Sequence, residues 1–147
     1  MEWKIKDFKH LSVEELYNIL ELRNKVFIVE EEYLYQDLDE KDINAFHLYC
    51  INENKIIVVL RILKKETSYS GIYIGRVAVD EEYRRLGLGK KAVEKAIKFI
   101  QYKYGKELVK VSVQVHVRDF YKALGFKEVS DTYLEEDIPH IKMIKQI

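Results

Sequence analysis

Proline occurs once in this chain, at Pro139, and cysteine once, at Cys50. A lone cysteine cannot close an internal disulfide, so the thiol suits a reducing compartment, and its apolar surroundings make it a packing residue. With a single proline and six glycines in 147 residues, no linker-like stretch breaks the chain, and one domain over 1–147 is expected. No apolar run approaches the ~20 residues that cross a bilayer. The start, Met1-Glu2-Trp3-Lys4-Ile5-Lys6, lacks the apolar core of a signal peptide. These absences predict a soluble, cytoplasmic protein with no membrane partner. Net charge is absent too: Lys and Arg number 25 and so do Asp and Glu, which argues against a nucleic-acid partner. Four scattered histidines and one cysteine give no ligand spacing, and Asp37-x-Asp39 lacks the rest of a calcium loop, so no metal is expected.

Periodicity supplies what is present. Residues 2–8 read as a strand. Ser12, with Glu15 three positions on, forms a capping box that starts a helix, and Val13, Leu16, Leu20 and Phe27 recur near helical spacing as its expected inner face. Residues 30–42 then carry seven acidic side chains against Lys41. Strands follow at 46–52 and 55–64 around the turn Asn52-Glu53-Asn54, and another at 72–79. Leu88, Ala92, Val93, Ala96, Ile97 and Ile100 form the stripe of a second helix that Gly105 ends. Val109, Val111, Val113 and Val115 alternate with Lys110, Ser112 and Gln114, as in a strand with one buried face. A short helix near 117–124 stops at Gly125, and strands are expected at 126–134 and 139–146. The order predicts an α/β protein with a mixed sheet covered by helices.

The densest signal is Val77-Ala78-Val79-Asp80-Glu81-Glu82-Tyr83-Arg84-Arg85-Leu86-Gly87-Leu88-Gly89-Lys90. A strand passes through an arginine-bearing loop into a helix opening on two glycines. Unpaired amides and the positive end of the helix dipole there favour an anion, and Arg84, Arg85 and Lys90 add charge. A P-loop needs glycine at 84 and Ser or Thr at 91, where Arg84 and Lys91 stand. Gly87-x-Gly89-x-x-Ala92 fits a dinucleotide fingerprint, but the charged stretch Asp80 to Arg85 separates it from its strand. Arg84-Arg85-Leu86-Gly87-Leu88-Gly89 also satisfies the Arg/Gln-x-x-Gly-x-Gly/Ala loop of the GNAT superfamily of N-acetyltransferases, and Phe120-Tyr121-Lys122-Ala123-Leu124-Gly125-Phe126 resembles that family's Phe-Tyr-x-x-x-Gly-Phe element. Val26-Phe27-Ile28-Val29-Glu30, Tyr35-Gln36-Asp37, His47-Leu48, the block from Gln114-Val115-His116 to Gly125-Phe126, and Ile138-Pro139-His140-Ile141 are similar to its ElaA branch. Two departures stand out: Arg85 where many relatives have Gly, and Gln114 where many have Asn.

The resemblance implies the GNAT fold, a mixed, mostly antiparallel twisted sheet of about six to seven strands flanked by helices. It implies acetyl-CoA as cosubstrate and direct transfer of acetyl to a primary amine, on a small molecule or a peptide, without a covalent enzyme intermediate. The alternative is a non-catalytic acyl-CoA-binding module. Amides from Arg85 to Lys90, with Arg84, Arg85, Leu86, Gly87, Leu88, Gly89 and Lys90 as the loop, would hold the pyrophosphate. Val77, Ala78 and Val79 would pair with the pantetheine arm at a bulge, with an amide near Val77 facing the oxyanion. Tyr121 matches the general acid, though in a chain with 11 tyrosines packing is its bland reading. For the proton of the amine the candidates are Glu30, Asp37, His47, His116 and His140, His116 being the most pointed at the end of the fifth strand. Each of them also reads as solvated surface or as a satisfied hydrogen-bonding group. Gln114 is a candidate acceptor contact, the acidic stretch 30–42 would draw cations, and homodimer formation through edge strands is compatible with the superfamily.

Overall fold

The computed structural model describes residues 1–67 and 71–147. Its strands are β1 (Glu2–Asp7), β2 (Ala45–Asn52), β3 (Lys55–Leu63), β4 (Ile72–Val79), β5 (Leu108–Gln114), β6 (Lys127–Glu128), β7 (Tyr133–Glu135) and β8 (Ile138–Gln146). They form one sheet in the order β1-β2-β3-β4-β5-β8-β6, with β7 also on β8. The β2–β3 hairpin closes on Glu53 and Asn54 at φ 50° and 64°, the left-handed pair that matches the twist of a two-residue connection. Pairing is antiparallel except between β4 and β5, which run parallel and meet only at Ile72↔Val109 and Tyr73↔Lys110.

Each face of the sheet carries a helix. α2 (Leu88–Tyr104) buries Leu88, Ala92, Val93, Ala96, Ile97 and Ile100, the stripe expected from spacing. Val109, Val111 and Val113 join them in the main core, with Leu48, Ile62 and Met143. On the opposite face lies α1 (Val13–Arg23), continued by a wide π-type turn over Asn24–Glu30. Ser12 and Glu15 form the capping box. The inner face of α1 differs from expectation. Val13 is 86% exposed, while Ile19, Leu22, Arg23 and Val26 are buried. These sit at i, i+3, i+4 and i+7, a regular helical stripe, but one of its four members is a charged residue that apolar periodicity passes over.

Two further boundaries differ. The strand expected over 126–134 is interrupted, leaving the two-residue β6 and the three-residue β7. The strand expected to 115 ends at Gln114, and Val115–Val117 form a 3-10 turn before α3 (Arg118–Ala123). His116 therefore lies past the strand, exposed, rather than in line with Ser112 and Gln114. Cys50 is buried within β2. Among the described residues no helix is long and apolar enough to cross a membrane, and no group of three or more His, Cys, Asp or Glu could hold a metal.

Candidate active site

The site begins where β4 breaks its register. Val59 faces Ala78 but Arg61 faces Gly75, so β4 carries one extra residue opposite β3, a bulge. Arg76 occupies it at φ 51°, a conformation that costs any side-chain-bearing residue. Its guanidinium is fastened: Nε donates to Asp37 Oδ1 at 2.7 Å, and Nη2 to the Asp37 carbonyl at 3.1 Å. Beyond Tyr73 the ladder to β5 stops, and the two strands part into a fork whose β4 edge, through Val77, Ala78 and Val79, is left open.

The loop at the end of β4 is pinned from below. Asp80 is fully buried and accepts the Glu82 amide at 3.0 Å, with Lys55 and Lys25 Nζ at 3.1 and 3.3 Å. Burial alone would raise its pKa; the Glu82 N–H and the two lysines outweigh that and lower it. Arg84 folds back over the surface of the loop, donating from Nε to the Val79 carbonyl at 3.0 Å and from Nη2 to Glu30 at 2.7 Å. It serves as a clasp between the loop and the segment after α1. Arg85 at φ 66° and Gly87 at φ 74° then bend the chain into α2. The Lys91 amide bonds the Gly87 carbonyl at 3.1 Å, so the amides of Leu88, Gly89 and Lys90 have no intrahelical acceptor. They open onto a hollow of about 260 Å³ whose walls include Val79, Tyr83, Arg85, Gly87, Gly89 and Phe120.

Phe120 links this hollow to Tyr121. The two rings meet edge to face at 5.0 Å, and Tyr121 meets Phe126 the same way at 5.6 Å. Tyr121 is 7% exposed, and burial pushes its pKa up to about 12, so the phenol keeps its proton across the physiological range.

Across the fork, on the face away from α2, stand Ser112 and Gln114 of β5 and His140 of β8, which pairs with Gln114. His47 is not with them. It is buried on β2 with Nε2 2.9 Å from the Asp42 carbonyl, and burial lowers its pKa. Asp37 is likewise committed: Arg23 Nε binds its Oδ2 at 2.9 Å and Arg76 holds Oδ1. Glu30 gives one carboxylate oxygen to Arg84. The acidic stretch is thus partly internal, since Arg61 pairs with Asp39 at 2.6 Å and with Asp42 at 3.0 Å, and Arg23 with Asp42 at 2.7 Å. For Asp39 burial raises the pKa, and the Arg61 guanidinium more than reverses it, leaving the carboxyl below the usual range. Arg23, Arg61 and Arg76 escape sequence reasoning because each sits inside a helix or strand, far along the chain from the aspartates it meets.

Comparison with known proteins fits this geometry. The acetyltransferase (GNAT) domain family matches residues 9–147. The protein ElaA of Escherichia coli K12 is 32% identical over 149 residues, spanning 100% of this chain and 97% of that one; its crystal structure superposes with a TM-score of 0.90 over 98% of both chains. An acyl-CoA N-acyltransferase from Pseudomonas aeruginosa, 34% identical, reaches 0.93 over 98% of each. An aminoglycoside 6'-N-acetyltransferase in complex with coenzyme A, 15% identical, shares the fold at 0.72 over 97% of this chain and 96% of that one.

Proposed function

Since the chain belongs to the GNAT acetyltransferase family, we propose that it transfers an acetyl group from acetyl-CoA directly to a primary amine. The observation that carries this reading is the fork between β4 and β5, with the open amides at the start of α2 beside it. The residues present fit the nucleotide portion. Three free amides, the positive end of a 17-residue helix and the Arg85 and Lys90 side chains converge on one hollow, and Gly87 adds no side chain to obstruct it. The pantetheine arm would lie along the open edge of Val77, Ala78 and Val79, as an added strand lies on a sheet edge. When bound, acetyl-CoA supplies an activated thioester carbonyl.

The chain's own groups do the rest. Main-chain amides at the bulge would polarise the carbonyl. Tyr121, held neutral by burial, would give its proton to the departing sulfur. The acceptor would enter from the face of α1, past Ser112 and Gln114. The chemistry is that of an amine losing a proton and gaining an acyl group.

Isothermal calorimetry with acetyl-CoA, followed by thiol release in the presence of amines, tests the reading. Saturable binding near one site per chain together with amine-dependent thiol release is expected. Binding without thiol release from any amine would instead favour a sensing module, and no binding at millimolar acetyl-CoA would overturn the proposal.

A further inference from the structure

The acyl-transfer reading needs a group to relieve the incoming amine of its proton, and a pair of residues at the mouth of the fork is built for it. β7 and β8 are joined by the two left-handed residues Glu136 and Asp137, at φ 51° and 66°, which bring Glu135 opposite Ile138. The Glu135 carboxylate lies between two elements: Oε1 is 3.4 Å from Ser112 Oγ, and Oε2 is 3.3 Å from His140 Nε2. Its side chain is 49% exposed, open to an arriving molecule, whereas His140 is 5% exposed.

The position is informative. Ser112 lies two residues along β5 from Lys110, the last residue paired with β4 through Tyr73. It is therefore level with Gly75, just past the point where the strands part and one residue before the bulge. Val111 and Val113 point into the α2 core with Tyr121, so Ser112 and the carboxylate beside it occupy the other face. Proton donor and carboxylate flank the gap from opposite sides.

His140 has a fixed tautomer. Its Nδ1 is 2.7 Å from the Ile138 carbonyl, which can only accept, so Nδ1 carries the hydrogen and Nε2 is left facing Glu135. With the pair deprotonated, one incoming proton can be shared between carboxylate and Nε2, taking the pair from one negative charge to none. Other ionisable groups facing this place are Tyr133 of β7, Arg76 of β4, and Tyr33 from the segment after α1, whose hydroxyl bonds Glu136 and which feels Glu135 and Arg76.

We propose that Glu135 is the catalytic base that takes the proton from the acceptor's ammonium, and that His140 is the positioning residue that shares it. The ammonium N–H bond breaks and the proton goes to Glu135. The freed lone pair forms the bond to the acyl carbon, and the carbon–sulfur bond breaks with its electrons leaving on sulfur, which takes the Tyr121 proton. The remaining surplus proton on nitrogen restores Tyr121 through solvent, and Glu135 then releases its proton to bulk water as the net proton of the reaction. This inference rests on the acyl-transfer reading above.

Imidazole nitrogen NMR and kinetics test it together. In the wild type, neutral His140 carries its hydrogen on Nδ1 and leaves Nε2 toward Glu135. An Nε2-protonated neutral tautomer overturns the proposal. Thiol release from acetyl-CoA with spermidine as the amine probe falls about 100-fold in Glu135→Gln, the scale of a lost general base, and the acidic limb of its pH–rate profile flattens. Calorimetric affinity for acetyl-CoA is unchanged, and the neighbouring Glu136→Gln keeps the wild-type rate. If spermidine is not turned over, hydrolysis of acetyl-CoA, with water in the amine's place, is read in the same way. Equal rates in Glu135→Gln and wild type overturn the role of Glu135 and leave acyl transfer standing; failure of the wild type to bind acetyl-CoA overturns both.

Discussion

Arg76 and Asp37 are bound to each other through both side chain and main chain: the guanidinium at the β4 bulge holds the carboxylate at 2.7 Å and the Asp37 carbonyl at 3.1 Å. The acidic segment after α1 is thereby tied to the point where the sheet forks. Arg23 reaches the same carboxylate from α1 at 2.9 Å, so helix, loop and bulge share one ionic junction.

Substitutions at this junction separate backbone from charge. Arg76→Gly keeps the left-handed bulge and loses the ion pairs, while Asp37 and Asp39 retain Arg23 and Arg61. The expected cost is on the order of 1 kcal/mol. Arg76→Leu adds the strain of an apolar side chain at positive φ and costs about 1 kcal/mol more. Arg23→Met removes one of the two guanidinium partners of buried Asp42, leaving Arg61 at 3.0 Å, and costs about 3 kcal/mol. Urea unfolding of the three variants checks the order; equal losses for all three would disprove the junction.

Glu15 gives the chain a pH-dependent anchor. Burial pushes its pKa up, but the Ser12 amide at 2.8 Å, the Tyr49 hydroxyl and Lys6 outweigh this and hold it at about 2 against an ordinary 4.5. The folded value lies below the unfolded one, so the stabilisation is fully present above pH 4.5 and is lost as pH falls toward 2. About 2 kcal/mol of unfolding free energy should disappear across that window. In Glu15→Gln the stability curve should be flatter there and lower at neutral pH.

Arg85 occupies a left-handed position at φ 66° where glycine is strain-free. Arg85→Gly is expected to raise stability by about 0.5–1 kcal/mol through relief of that strain, while weakening acetyl-CoA binding through loss of a cation. Gly87→Ala, at φ 74°, should destabilise by about 1 kcal/mol. Differential scanning calorimetry beside acetyl-CoA titration reads both effects. Parallel changes in stability and affinity for Arg85→Gly would contradict the assignment.

Tyr121→Phe removes one hydroxyl from a ring already packed between Phe120 and Phe126. Acetyl-CoA affinity should hold within about twofold while turnover falls about 100-fold, the range of a missing general acid. Because the phenol's pKa is near 12, no loss of wild-type activity from its ionisation is expected below about pH 10. Unchanged turnover in Tyr121→Phe would remove it from the mechanism.

What the sequence alone determined is local. The Ser12–Glu15 box, the α2 stripe, the β2–β3 turn and the valine alternation of β5 depend on residues a few positions apart, where one turn of helix or one pleat sets which side chains meet. The glycine-bearing loop was legible for the same reason, its anion-binding character belonging to a strand, a bend and a helix start in succession. Tertiary structure decided the rest. Arg23 shares the inner stripe of α1 because Asp37 and Asp42 are folded against it, so hydrophobic periodicity alone favoured Val13. The acidic stretch became partly interior because Arg61 and Arg76 arrive from β3 and β4. Glu135 and His140 face each other because a two-residue turn brings two strands side by side. Such pairings are set by sheet register and by which helix covers which face, quantities spread over the whole chain.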